Sequence, residues 1–434
     1  MLSRFVALSL VLLLCVACGS ETSEPASTGP AASQDAAPAP VPAPGPASAE
    51  PDAYPRGIVL ALAQFVKKDG KSVPGPAQLE FLFRDGGEWQ TRTLDDAESN
   101  VFHKAMLYSG SGGDVILTAA GTAATLKTWS MQAGALVPTT HWAEDFGGKF
   151  SRMRDAEIGD LYGEGKASIA IATHDQGVVA VLRPEADGFS VVKLDAKPNT
   201  FVHEIEIGDL DGDGVLEVYA TPTEPNRLDG TPQRGQVVRY VPSRAEGPTV
   251  VADLGERHAK EILVADVDGD GRDELYVAVE GRLENKKLME PVEIRRYEAD
   301  TPADQGALVA TLQDHLCRFL TAGDIDGDGR SELVAAAYKA GVWLLRPGAD
   351  PNQSWHAELV DADSGGFEHA SVLTDLDGDG VDELYVASDD DKAVRRYRWD
   401  GAKLVRETLY QRRDGRPIFT WNLMPLPVEL IPEP

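Results

Sequence analysis

The chain has 434 residues, 42% of them hydrophobic, enough to bury a large core as one big domain or two ordinary ones. A formal net charge of −29 excludes a nucleic-acid backbone as partner, since such sites are built from clustered Lys and Arg, and leaves cation binding, solvated surface, or both. Its cysteines, Cys15, Cys18 and Cys317, make no disulfide framework, and the lone Cys317 reads as a small buried hydrophobe.

The first predicted element is a targeting segment. In MLSRFVALSLVLLLCVAC, Arg4 precedes an apolar run from Phe5 to Val16, too short to span a bilayer comfortably. Val16 and Ala17 then precede Cys18. Residues 1–17 resemble the signal peptide of a bacterial lipoprotein, which implies lipidation of Cys18. Cys15 stands where such signals usually carry Leu, and a generic secretory signal or an uncleaved anchor is the alternative. Gly19 rather than Asp follows the cysteine, so the resemblance implies the bacterial outer membrane, on its periplasmic or cell-surface side. Residues 18–55 are then mostly Ala, Pro, Ser and Glu and form no core. As polyproline-like chain at about 3.1 Å per residue, this tether reaches on the order of 100 Å.

Three strands follow, GIVLALAQFV, QLEFLFRDG and EWQTRTLDD. A repeat then begins. Intact acidic motifs start at Asp209 (DLDGDGVLE), Asp266 (DVDGDGRDE), Asp324 (DIDGDGRSE) and Asp375 (DLDGDGVDE). A worn copy, DLYGEGKAS, starts at Asp160 and a more decayed one, SGSGGDVIL, at Ser109; successive starts lie 51, 49, 57, 58 and 51 residues apart. Such a period, with a strand leading into each motif and three leaving it, is the signature of four-stranded propeller blades. Six innermost strands are counted in this way. PIFTWNLMP (417–425) supplies a seventh with nothing after it, while the N-terminal three strands lack an innermost one. Joining them closes a seven-bladed all-β propeller and pairs both free edges; six or eight blades are the alternatives.

In D-x-D-x-D-G-x-x-E, oxygens at positions 1, 3, 5 and 9, with the backbone carbonyl at 7, can surround a hard cation, and the glycine at 6 permits the sharp turn. Position 12 is Ala220, Val277, Ala335 or Val386, inside a strand, so this is not an EF-hand but a similar turn within a β-hairpin. The motif in its strand context resembles the FG-GAP/VCBS repeat of integrin-α-like propellers, over residues 56–434. The resemblance implies one Ca²⁺ per intact loop, between a blade's innermost strand and the next. Its ligands would be Asp209, Asp211, Asp213 and Glu217; Asp266, Asp268, Asp270 and Glu274; Asp324, Asp326, Asp328 and Glu332; and Asp375, Asp377, Asp379 and Glu383. In the worn copy Tyr162 and Ser168 replace two carboxylates, and the Ser109 loop should bind no metal. Unpaired carboxylates crowded into one turn repel, so calcium is expected to act as framework, its binding energy serving as folding energy.

A binding face is expected opposite these loops, where the turns 221–235 and 280–293 are long and lie on adjacent blades. Six residues before each motif stand His103, Arg154, His203, Lys260, Arg318 and His369, a basic ring in an acidic protein. Around a closed propeller it would attract an anion such as a uronic-acid sugar, with His174 able to join; alternatively the ring pairs with local acids such as Asp155, Glu204 and Glu261. Trp129, Trp142, Trp343, Trp355, Trp399 and Trp421 read as blade packing rather than sugar platforms. No phosphate loop, zinc spacing or nucleophile elbow is present. The expected function is a monomeric, envelope-anchored scaffold that binds a protein or glycan. The alternative is a lyase on an acidic polysaccharide, with His103, His203 or His369 as base and Arg154 or Arg318 as electrophile.

Overall fold

The apolar run after each acidic motif sets the centre of its repeat. Glu274–Val279 (ELYVAV), Glu332–Ala337 (ELVAAA) and Glu383–Ser388 (ELYVAS) are strands buried at every position. Burial on both faces needs a neighbour on every side. The computed structural model supplies it; the model describes residues 51–434 apart from 111, 122–123, 148–150, 175, 187, 225–232 and 413–416. Residues 1–17, expected as a signal peptide, Cys18, most of the expected tether and the middle of the 221–235 turn therefore lie outside the described residues.

Seven antiparallel four-stranded sheets form the blades. Blades 1 to 6 open with the innermost strands Val101–Gly110, Met153–Gly159, Phe201–Gly208, Ala259–Ala265, Cys317–Gly323 and Ser371–Thr374. Blade 7 is the expected composite. The C-terminal strand Ile418–Pro427 pairs with Arg56–Lys68, with Leu423 opposite Leu60, and Lys71–Asp85 and Glu88–Asp96 complete the sheet. The innermost strands pack side by side around the ring, Ile418–Pro427 touching both Val101–Gly110 and Ser371–Thr374. The described helical elements are two short 3-10 turns, Pro242–Arg244 and Val428–Leu430.

The core is divided by the same geometry. Seven apolar clusters sit one between each pair of neighbouring blades, from Phe102, Ile116 and Phe81 between blades 1 and 7 to Leu62, Tyr385 and Leu423 between blades 6 and 7. The outermost strands carry the solvated surface, with single apolar residues such as Val250 and Val405 exposed. Cys317 is buried between blades 4 and 5, as expected.

One irregularity recurs. The innermost strands of blades 1 to 5 each carry a bulge at the same height, where His103, Arg154, His203 with Glu204, Lys260 and Arg318 add a residue against the second strand. Blade 7 has its equivalent at Trp421, and in blade 6 the corresponding His369 has a left-handed φ of 56°. A bulge breaks strand alternation, so the basic residue and its successor are no longer simply on opposite faces.

Candidate functional site: acidic loops and the opposite face

The four intact loops share one backbone. In the loop at Asp266, Oδ1 accepts the amides of Gly269 (2.8 Å) and Asp270 (3.1 Å), and Oδ2 that of Gly271 (2.9 Å). Gly269 and Gly271 both have positive φ, a conformation that costs other residues more. The worn loop keeps this frame, with Gly163 and Gly165 at positive φ and Asp160 accepting the amides of Glu164 and Gly165.

The carboxylates converge unequally. Asp266, Asp268, Asp270 and Glu274 each offer an oxygen within 4.8 Å of the others; so do Asp209, Asp211 and Asp213, then Asp324, Asp326 and Glu332, and Asp375, Asp377 and Asp379. Glu217, Asp328 and Glu383 fall outside these sets. Glu217 and Glu383 accept the hydroxyls of Tyr219 and Tyr385, and Asp328 pairs with Arg330. All donors are oxygens, which suits a hard cation. Burial, then the neighbouring Asp326 and Asp377 carboxylates, pushes Glu332 and Glu383 up to about 7; burial does the same to Glu274. A buried Oδ1 of Asp326 has no hydrogen-bond partner. The donor set and that orphaned oxygen fit calcium.

The structure places the basic ring inside the molecule. Nδ1 of His203 donates to the Lys260 carbonyl (2.9 Å), while Nε2 accepts from Arg154 (3.0 Å) and Arg318 (3.1 Å). His103 donates likewise to the Met153 carbonyl (2.9 Å) and meets Trp421 edge-on at 4.7 Å. Arg154 lies over the Trp421 ring at 4.9 Å. His369 stands apart, between the Ala337 carbonyl (2.6 Å) and the Ser364 hydroxyl (2.8 Å). Burial, then Arg154, holds His103 and His203 well below the usual imidazole range, and burial lowers His369 to about 4. The three imidazoles are neutral at pH 7, each bonded to a backbone carbonyl of the neighbouring blade. His174 stacks on Phe201 at 5.3 Å.

The counter-charges come from acids that no repeat position marks. Glu368 pairs with Arg318 (2.5 Å) and Arg154 (3.5 Å), and Glu280 lies 3.6 Å from Lys260 and 3.7 Å from Arg318. Of the three local acids, Asp155 pairs with Lys104 (3.1 Å), and Glu261 accepts the Leu320 amide (2.8 Å). Only Glu204 stays near its own predecessor, 3.8 Å from the neutral His203. The adjacency of Glu368 to His369 was a weak signal for it; Glu280 opens the long 280–293 turn.

A cavity of about 670 Å³ opens on the face opposite the acidic loops, over blades 5, 6, 7 and 1. Its walls include Phe65, Tyr338, Phe367, Phe419 and Trp421. Their rings run in edge-on contacts from Tyr338 to Phe367 (6.4 Å), Phe367 to Phe419 (5.9 Å) and Phe419 to Phe65 (5.8 Å). Phe367 is 42% exposed. Polar groups interrupt this belt: Asp389 is bonded to Arg412 (3.0 Å) and Thr420 (2.8 Å), and Asp390 and Lys392 stand beside it. Thus the expected face does carry a cavity, walled by aromatics and mixed charges, which meets the basic ring at Trp421, beside His103 and Arg154, and at Phe367, where Arg318 lies 5.3 Å from the ring centre. Trp129, Trp142 and Trp355 are buried packing residues.

Residues 324–386, spanning the third and fourth intact loops, match the FG-GAP-like repeat family. No curated protein matches the sequence. The solved structures that resemble it include these two. One is of an Agrocybe aegerita lectin, titled for recognition of non-reducing terminal N-acetylglucosamine, 16% identical over 86% of this chain and 94% of that one, with a TM-score of 0.48. The other is a putative 6-phosphogluconolactonase from Bacteroides fragilis NCTC 9343, 14% identical over 86% and 98%, also at 0.48.

Proposed function

Because the chain is an FG-GAP β-propeller, we propose that it is a non-enzymatic binding module whose ligand enters the aromatic cavity opposite the acidic loops. That cavity is the observation that carries the reading. Its volume falls in the range of small-molecule sites. A chain of ring faces broken by carboxylate, guanidinium and ammonium groups suits a saccharide: apolar C–H faces of sugar rings pack on the aromatics, and hydroxyls bond to the polar groups. Its charges are of both signs, and the nearby basic ring is matched by Glu280 and Glu368, so a neutral sugar suits it better than a uronic acid.

A lyase needs a base that reaches substrate. His103, His203 and His369 are buried and bonded to backbone carbonyls, an arrangement that favours scaffold over catalyst.

Calcium in the four intact loops would stiffen the far face, held by the converging carboxylates and supplying the positive charge they lack. The chain enters the propeller at Arg56, paired with Pro427 at the end of the innermost strand where the acidic loops lie. A lipid on Cys18 would hold the propeller to a membrane through the tether of residues 18–55. A glycan array probed with residues 51–434 in calcium tests the proposal. Retention of saccharides supports it, and no retention from a broad array removes it.

A further inference from the structure

One arrangement repeats in every acidic loop, and its meaning rests on the calcium reading above. Each loop is met by an arginine from the third strand of its own blade. Nη1 of Arg239 lies 3.2 Å from Asp211 and 2.8 Å from Glu217. Nη2 of Arg296 lies 2.6 Å from Asp268 and 3.1 Å from Glu274. Arg346 reaches Asp326 (3.2 Å) and Glu332 (3.6 Å), and Arg396 reaches Glu383 (3.6 Å). In blades 3 and 4 a single guanidinium nitrogen thus bridges the carboxylates of motif positions 3 and 9, two of the positions assigned to calcium.

We propose that these arginines are built-in counter-cations that offset part of the loops' negative charge when calcium is absent and compete with it when it arrives. Several carboxylates within a few ångströms cannot all stay charged and partly buried without a positive partner. A guanidinium offers that charge permanently, from a strand whose position the blade fixes. Arg296 is 1% exposed, so its charge has few partners other than the loop acids and Glu298. The worn loop is the limiting case. There Tyr162 and Ser168 have replaced two acids, yet Arg183 remains, bonded to Glu164 and lying 4.5 Å over the Tyr162 ring. That loop has kept its protein cation while losing the acids a metal needs.

Two cations that share carboxylates weaken each other's binding reciprocally. The metal-free loops are then held folded rather than sprung apart, and calcium affinity is lower than the acids alone would give. The test is Arg239→Gln and Arg346→Gln in the full chain, chosen because both arginines are partly exposed, at 23% and 24% of the side chain. Melting curves are recorded in chelator and in saturating calcium, with calcium titrated calorimetrically. In chelator each variant is expected to melt a few degrees below the wild type, in calcium level with it, and the altered loop to bind calcium roughly tenfold more tightly. An equal deficit in both conditions, or unchanged affinity, overturns the proposal and leaves the arginines as ordinary packing. A wild type that takes up no calcium would instead remove the calcium reading, and this proposal with it.

Discussion

Nδ1 of His203 stands 2.9 Å from the carbonyl oxygen of Lys260, so an imidazole of blade 3 is bonded to the backbone of blade 4. His103 makes the same bond from blade 1 to Met153 of blade 2. The ring histidines act as rivets between blades, and their removal should be felt as stability. His203→Ala leaves the Arg154 and Arg318 guanidiniums short of an acceptor and should cost about 2 to 3 kcal/mol, read by denaturant unfolding. Saccharide binding by the folded fraction should persist.

Acid should weaken the rivets. His369, lowered to about 4, stays neutral in the folded chain down to a pH where the unfolded chain is already protonated. The unfolded state therefore binds more protons between about pH 6.5 and pH 4, and the stability His369 contributes is lost as pH falls through that window. His369→Asn keeps a residue tolerant of the left-handed backbone there. Its melting temperature should start lower at pH 7 and fall less steeply than the wild type's towards pH 4. Parallel slopes would refute the assignment.

Calcium removal should lower the melting temperature. A site held at a hundredfold excess over its Kd stabilises by about 2.7 kcal/mol, and the metal-free chain lacks this. Asp268→Ala, in the loop where four carboxylates converge, should forfeit part of the calcium-dependent increment and leave the rest. A melting curve that EDTA does not move would contradict calcium as framework.

Cys18→Ser should release the protein from the membrane fraction and abolish its labelling by a radioactive fatty acid. A variant still labelled and membrane-bound would contradict the lipoprotein reading.

The scaffold was legible because it repeats. Six motifs at a regular period, and two unmatched ends, specify seven blades and their closure, since an innermost strand without followers and three strands without a leader complete one sheet. The basic ring was legible as positions but not as environment. The bulges at His103, Arg154 and Lys260 break the two-residue alternation from which a side chain's direction is read. Glu280 and Glu368, which balance the ring, come from different blades and share no motif position. The third-strand arginines did leave a trace: Arg183, Arg239, Arg296, Arg346 and Arg396 each precede Tyr or Pro. Their partners lie across a strand pair, however, and spacing alone does not reveal that contact. The cavity was the least legible. Phe65, Tyr338, Phe367 and Phe419 come from three different blades and are adjacent only once the ring is closed.

The most direct test of the binding-module reading is a comparison of wild type and Phe367→Ala on one glycan array in calcium. Phe367 is 42% exposed, so its truncation should change the melting temperature little. The expected result is a saccharide retained by the wild type and lost, or bound at least tenfold more weakly, by the folded variant, a difference of about 1.4 kcal/mol. A saccharide held equally by both proteins, or by neither, would contradict the cavity as the place where this propeller binds sugar.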